Sequence, residues 1–201
     1  MLKHQCGSVL ILTVAAAATV LGDSFALGDS KQVKQEDMQM NTTRIMVDHV
    51  RLTTNKTFDD VTRSFEQKLG RFDPVVYKAL AEGSDAEGTK AQIEAMAGPS
   101  GFMLFATHNH GDLLRLAGQK RKAIQYLVGN PLIALQMTQH DLRASLYAPL
   151  RVLIYENEVG KTCVEYDKPS SLFGQFGNDS INPTVAKLDR KLEAMVAAAC
   201  K

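Results

Sequence analysis

Two strand-like segments joined by a tight turn, at residues 150–156 and 161–166, constrain the fold of this chain most strongly. Both are rich in β-branched and aromatic residues, and the turn between them ends in Gly160. Such a pair predicts an antiparallel hairpin, because parallel neighbours need a long crossover connection. At least part of the chain is therefore expected to form an antiparallel sheet.

The rest of the chain adds strands and helices that do not alternate regularly. Alternating or short apolar runs predict three more strands, at residues 42–54, 101–107 and 123–128. Helical spacing and suitable capping residues predict five helices, at residues 58–69, 74–81, 84–97, 131–137 and 183–199. This order favours an α+β fold, with a two-layer, mainly antiparallel sheet packed against helices.

The clearest local signals lie at the start of one helix and along another. Asn130 is a good cap and Pro131 suits the first position of a helix. The last helix carries an apolar stripe at spacings of three and four, formed by Val185, Leu188, Leu192, Met195 and Ala199.

The N-terminus has the pattern of a secretory signal peptide. Lys3 precedes an apolar run at residues 9–21, which is too short to span a bilayer, and small residues flank Phe25 before a cleavage site after Ala26. We therefore expect a signal peptide at residues 1–26, a flexible polar leader at 27–41 and one α+β domain at 42–201. The mature protein is expected to be periplasmic or secreted, with no stable membrane span.

Composition and motifs exclude several classes of function. The net charge of +1 gives no electrostatic reason to expect nucleic acid. No phosphate-binding glycine loop, haem-attachment motif or nucleophile elbow is present, so the sequence predicts no nucleotide or haem cofactor and no catalytic residue. Cys163 and Cys200 could pair in an oxidising compartment, but we favour a buried thiol at Cys163 and an incidental one at Cys200.

Four segments form an ordered set: FATHNH at 105–110, LVGNP at 127–131, APLRVLIYE at 148–156, and GK at 160–161 followed by YDKP at 166–169. In these segments the chain resembles the family known as domain of unknown function 302. The resemblance extends over residues 53–169 and implies a compact α+β domain, sometimes dimeric, with no established activity. The family commonly has Asp where this chain has Asn109.

A metal site is one interpretation of the histidines. His108 and His110 are two residues apart, so on a strand they would project from the same face and could converge on one transition metal. His140 could supply a third ligand. The alternative is that His110 binds loop backbone while His108 is exposed.

The interpretation that we favour is a binding module. Polar residues lie at the ends of elements within the family-like segments, and a ligand site is expected around His110 with Asn130, Tyr166 and Arg151. The expected partner is a small molecule or another exported protein, and a homodimer formed through the sheet is a further hypothesis. For Asn130 the alternative role is a helix cap.

Overall fold

The predicted hairpin forms as two antiparallel strands near the middle of a six-stranded sheet. The structure is a computed structural model that describes residues 39–83 and 85–201. The predictions for the signal peptide and for residues 27–38 of the leader lie outside the described residues. The elements given below belong to the unit formed by Thr43–Lys201.

The strands are β1 (His49–Thr54), β2 (Leu69–Arg71), β3 (Phe102–Asn109), β4 (Ala123–Gly129), β5 (Leu150–Glu156) and β6 (Thr162–Asp167). Their order across the sheet is β1-β6-β5-β4-β3-β2. Every neighbouring pair is antiparallel except β2 and β3, which run parallel.

The helices are α1 (Phe58–Glu66), α2 (Val75–Ala81), α3 (Ala86–Ala95), α4 (His110–Leu113), α5 (Pro131–Thr138), α6 (Pro169–Phe173) and α7 (Asn182–Cys200). Short 3-10 turns follow at Leu114–Ala117, Leu142–Tyr147 and Gly174–Phe176. The prediction of an α+β fold with a mainly antiparallel sheet is confirmed.

The main core lies between one face of the sheet and helices α1 and α7. The stripe predicted for the last helix is buried along its whole length, from Val185 to Ala199. Phe65 of α1 packs against Tyr126 of β4, with ring centroids 5.1 Å apart, and both side chains are fully buried. The period of 3.6 residues in α7 therefore matches a real packing surface.

A second, smaller cluster lies at the β2–β3 end of the sheet. Its buried members are Val76 of α2, Ile93 of α3 and Met103 of β3. Met103 precedes Leu104, which packs on the main core, so the two clusters use alternate residues of one strand. This arrangement places α2 and α3 on the second face of the sheet.

The first strand is shorter than the sequence predicts. Regular pairing of β1 begins at His49 opposite Asp167, and Ile45 and Met46 are exposed. The neighbouring strand β6 ends at Asp167 and α6 begins at Pro169, so residues 42–47 have no strand beside them. Alternation in the sequence could not show where the partner ends.

One strand, β2, and two short helices, α4 and α6, are absent from the prediction. Leu69 was expected to end a helix, but it begins β2 and pairs with Phe102. A Cβ at Gly70 would lie 1.7 Å from the carbonyl oxygen of Met96, so glycine permits this close approach. The short helix α6 has Pro169 in its first turn, which is a common helix start that the prediction did not use.

Candidate functional site

His108 and His110 lie at the far end of β3, but they occupy different kinds of structure. His108 pairs with Gln125 in the sheet, whereas His110 is the first residue of α4. Asn109 caps that helix, since its Oδ1 accepts from the backbone N–H of Asp112 at 3.0 Å. The two rings are exposed, with centroids 6.4 Å apart.

His140 lies at the other end of β4 from these residues. Asn109 pairs with Ile124 near the start of β4, while His140 follows α5, which begins after β4 ends at Gly129. A strand of seven residues spans about 20 Å. Within residues 39–83 and 85–201, no three His, Cys, Asp or Glu side chains come together as a metal site. The described residues therefore bring no third side chain of these types to His108 and His110.

Asn130 is placed as a helix cap. Its Oδ1 accepts from the backbone N–H groups of Leu132 and Ile133 at 2.9 and 3.4 Å, and its Nδ2 donates to the carbonyl of Gly101 at 3.0 Å. Both ends of the amide are thus used to fix the start of α5 against the start of β3. Asn130 and His110 lie at opposite ends of β4.

Tyr166 and Arg151 project from opposite faces of the sheet. Tyr166 pairs with Val152 and is buried in the main core, where burial and then the carboxylates of Glu193 and Asp189 raise the pKa of its hydroxyl. Arg151, next to Val152, is exposed on the second face. The four residues proposed to surround one ligand are therefore not brought together.

A groove that the sequence analysis did not predict lies between α2, α3 and α5. Two adjoining cavities form it, with volumes of about 480 Å³ and about 90 Å³. Tyr77, Pro131, Ala134 and Ala148 line both cavities, so the two are parts of one surface. The larger cavity is lined mainly by apolar side chains: Leu80, Ile93, Leu132 and Leu135.

Three aromatic side chains lie on the sheet side of the groove: Phe105 and Tyr77 line the smaller cavity, and Phe72 packs between them. The ring of Phe105 stacks on Phe72 at 4.4 Å, and Phe72 packs against Tyr77 at 5.2 Å. Phe105 is the extra residue of a β-bulge, because Leu104 pairs with Val128 while Ala106 pairs with Leu127. Bulges often redirect a side chain next to a binding site.

Few polar groups reach the larger cavity. Lys90 is the charged residue in its lining, and its Nζ lies 2.6 Å from Oε1 of Glu87. Thr138, Ser145 and the half-exposed Tyr77 add hydroxyl groups, and partial burial raises the pKa of Tyr77. A mainly apolar cavity with a few polar groups is typical of small-molecule sites.

The sequence carried one signal for this groove. Residues 131–137 are almost entirely apolar and lack an amphipathic pattern. A helix that is apolar on all sides packs in more than one direction. In the structure Met137 enters the main core, Leu132 the second cluster, and Leu135 is 47% exposed at the groove.

A separate network of hydrogen bonds crosses β1, β6 and β5 on the second face. The hydroxyl of Tyr155 donates to Oε1 of Glu165 at 2.5 Å, and Arg51 forms an ion pair with the same carboxylate. Burial of Glu165 opposes its charge, but the hydrogen bonds from Tyr155, His49 and Arg51 outweigh burial and lower the pKa of the carboxyl group. This network links the three strands β1, β6 and β5.

Residues 78–199 match the family model described as "Domain of unknown function DUF302". The chain belongs to the DUF302 family. The match covers β3 to β6, the helix α5 and nearly all of α7, and it includes most of the residues that line the groove. The family that the sequence resembled is therefore confirmed.

A solved DUF302 structure has the same overall fold. The crystal structure of an uncharacterized conserved DUF302 protein from Bacillus stearothermophilus covers 76% of this chain, and 98% of that chain is matched. The TM-score is 0.54 and the sequence identity is 15%, so this likeness shows the fold alone. No curated protein matches the chain. No helix among the described residues is both long and apolar enough to cross a bilayer.

Proposed function

We propose that this DUF302 domain is a binding module for a small, mainly apolar molecule, which it holds in the groove between α2, α3 and α5. The observation that carries the proposal is the continuous apolar lining of two adjoining cavities. Exposed apolar surface of this kind is costly in water, and a ligand that covers it recovers that free energy.

The lining also indicates one polar end for the ligand. Lys90 lies at the edge of the larger cavity, and its ion pair with Glu87 is exposed, so a carboxylate or similar group could replace Glu87 there. Exposed ion pairs contribute about 0–1 kcal/mol, which makes such an exchange inexpensive. An apolar chain with one acidic end therefore suits the groove.

Filling the groove provides the first test. Ala134 lines both cavities, so Ala134→Trp should occupy the space that a ligand needs. The matched control is Gln136→Trp, which places the same side chain at an exposed position of the same helix. Binding of 1-anilinonaphthalene-8-sulfonate should weaken by about tenfold or more, or 1.4 kcal/mol, in the first variant and stay unchanged in the second.

A pair of ligands provides a second test that does not alter the core. Saturated fatty acids and alcohols of equal chain length should displace the fluorescent probe. Lys90→Gln should weaken binding of the acid but not of the alcohol. His110→Ala should leave both unchanged, because His110 lies at the other end of β4. Equal probe binding by Ala134→Trp and the wild-type protein, both folded by circular dichroism, would refute the groove proposal.

Export is part of the proposal, and it is supported by the basic start, the apolar run and the cleavage pattern before Leu27. Sequencing the N-terminus of the protein recovered from its native compartment tests it, since a mature chain should begin at Leu27. Recovery of the uncleaved chain from the cytosol would contradict export.

The predicted homodimer and the predicted site around His110 stay predictions. Sedimentation at several concentrations tests the homodimer.

A further inference from the structure

The connection between β3 and β4, at residues 110–122, combines exposed leucines with a concentration of positive charge. It begins with α4, continues as a 3-10 turn and then runs back to the sheet. Gly118 adopts a left-handed φ of 70°, and its N–H donates to the carbonyl of Arg115 at 3.0 Å. This turn brings the basic residues that follow it back towards the helical part.

Two leucines of this connection face water. Leu113 is 60% exposed and Leu116 is 88% exposed, whereas Leu114 between them is half-buried. Residues three apart in a helical turn lie on the same side, so the two exposed side chains form one small apolar patch. Such exposure is unfavourable in water, and transfer of the side chains into an apolar medium would recover that free energy.

The basic residues of the same connection line an open concavity of about 610 Å³. Arg115, Lys120, Arg121 and Lys122 line it, together with Glu156 from β5. Lys122 is partly neutralised by Asp59 and Glu156, at 3.1 and 3.9 Å, and Arg115 by Asp112 at 3.2 Å.

Lys120 and Arg121 carry the positive charges of this connection that no neighbouring carboxylate of the described residues neutralises. Among the described residues neither has a carboxylate within 4.0 Å, and both are exposed. Residues 110–122 contain four basic side chains and one acidic side chain, whereas the whole chain has a net charge of +1. Positive charge is thus concentrated in this connection.

We propose that the β3–β4 connection docks the domain on the surface of a bilayer that contains anionic phospholipid. The phosphate groups lie against Lys120 and Arg121, and Leu113 and Leu116 enter the apolar boundary beneath them. A basic surface that also presents apolar side chains fits this partner, because each Lys or Arg contributes about 1 kcal/mol near an anionic membrane. A nucleic acid would use the charges but leave the leucines in water.

Co-sedimentation with vesicles tests the proposal. The full mature chain should bind vesicles of about 70% phosphatidylethanolamine and 30% phosphatidylglycerol, and it should not bind pure phosphatidylcholine. Lys120→Glu with Arg121→Glu should weaken binding by about 30-fold or more. The control is Lys187→Glu with Arg190→Glu, which makes the same change in net charge at exposed positions of α7.

The leucines have their own matched pair of variants. Leu113→Ser with Leu116→Ser should weaken binding by about tenfold or more. Leu142→Ser with Leu146→Ser is the control, since those side chains are 81% and 74% exposed at another site. All four variants should keep the circular dichroism spectrum of the wild-type protein.

Three results would overturn the proposal. The first is equal binding to anionic vesicles by the charge-reversed protein and its control. The second is a requirement for the charges but not for the leucines, which would indicate a general site for polyanions. The third is binding of inorganic phosphate at Lys120 and Arg121, observed by NMR, without any binding to vesicles, which would indicate a site for the free ion only.

Discussion

The Nε2 atom of His49 on edge strand β1 lies 3.0 Å from Oε2 of Glu165 on β6. The Nδ1 atom of the same ring lies 2.9 Å from Oδ1 of Asp167. A neutral imidazole has one N–H group, so both contacts are attractive only when the ring is protonated. The hydrogen bonds to Asp167 and then to Glu165 raise the pKa of His49.

This geometry predicts a pH-dependent attachment of β1. Because the folded pKa of His49 is raised, its contribution is complete below the ordinary value of about 6.5 and is lost as the pH rises through the folded pKa. His49→Gln should therefore reduce the free energy of unfolding at about pH 5.5, by up to about 1 kcal/mol, and much less at about pH 8.5. Denaturant unfolding at both values measures the difference, with His140→Gln as control. A difference that does not change with pH would contradict the prediction.

The close approach of β2 to the segment after α3 predicts a strict requirement for two glycines. A Cβ at Gly70 would lie 1.7 Å from the oxygen of Met96, and a Cβ at Gly98 would lie 2.2 Å from the nitrogen of Gly70. Gly70→Ala or Gly98→Ala should lower the free energy of unfolding by at least about 2 kcal/mol. Gly174→Ala is the control, because no atom lies within 4 Å of the added Cβ. Equal stability of the three variants would show that this segment can shift.

Asn130 allows a test of a cap against a ligand contact. Asn130→Ala removes the cap of α5 and the bond to Gly101, so it should cost about 1–3 kcal/mol of unfolding free energy. Asn130→Asp keeps an acceptor for the N–H groups of Leu132 and Ile133 and should recover part of that loss. Thermal unfolding compares the two. If Asn130→Ala keeps full stability and only ligand binding falls, the side chain acts in recognition instead.

In a chain that begins at Leu27, Cys163 and Cys200 should both be free thiols. Cys163 is buried beside Thr53, whose Oγ1 lies 3.5 Å from its Sγ, and Cys200 ends α7 near Thr54. Consecutive residues of β1 project from opposite faces, so the sheet separates the two sulfur atoms. Ellman's reagent should count two thiols in denatured, unreduced protein, and Cys200→Ser should leave one that reacts only on unfolding. A count of zero in the unreduced wild-type protein would indicate a disulfide.

The sequence alone predicted a helix correctly where the residues that determine it lie within or next to that helix. The stripe from Val185 to Ala199 and the Asn130 cap depend on neighbours within a few residues, so the pattern alone located α7 and α5. β2 has three residues and is set by contacts of Gly70 with a segment that follows it by about thirty residues. No local pattern could show that contact.

The candidate site shows the same limit. His108, His110 and His140 were grouped because their side chains suit metals, but the antiparallel course of β3 and β4 places them at two ends of the sheet. The groove depends on which helices meet, and only the apolar character of residues 131–137 indicated that α5 has several neighbours. The chemistry of single residues was visible in the sequence, and their convergence was not.

The smaller apolar cluster has a consequence for the stability of two helices beside the groove. Among the described residues, its buried members are only Val76, Ile93 and Met103, so few buried contacts hold α2 and α3 against the sheet. Segments with few buried contacts open at a lower free energy than the rest of a domain. We therefore expect α2 and α3 to open at a lower free energy than the sheet and α7, so their backbone amides should exchange with solvent deuterium well before those of α7.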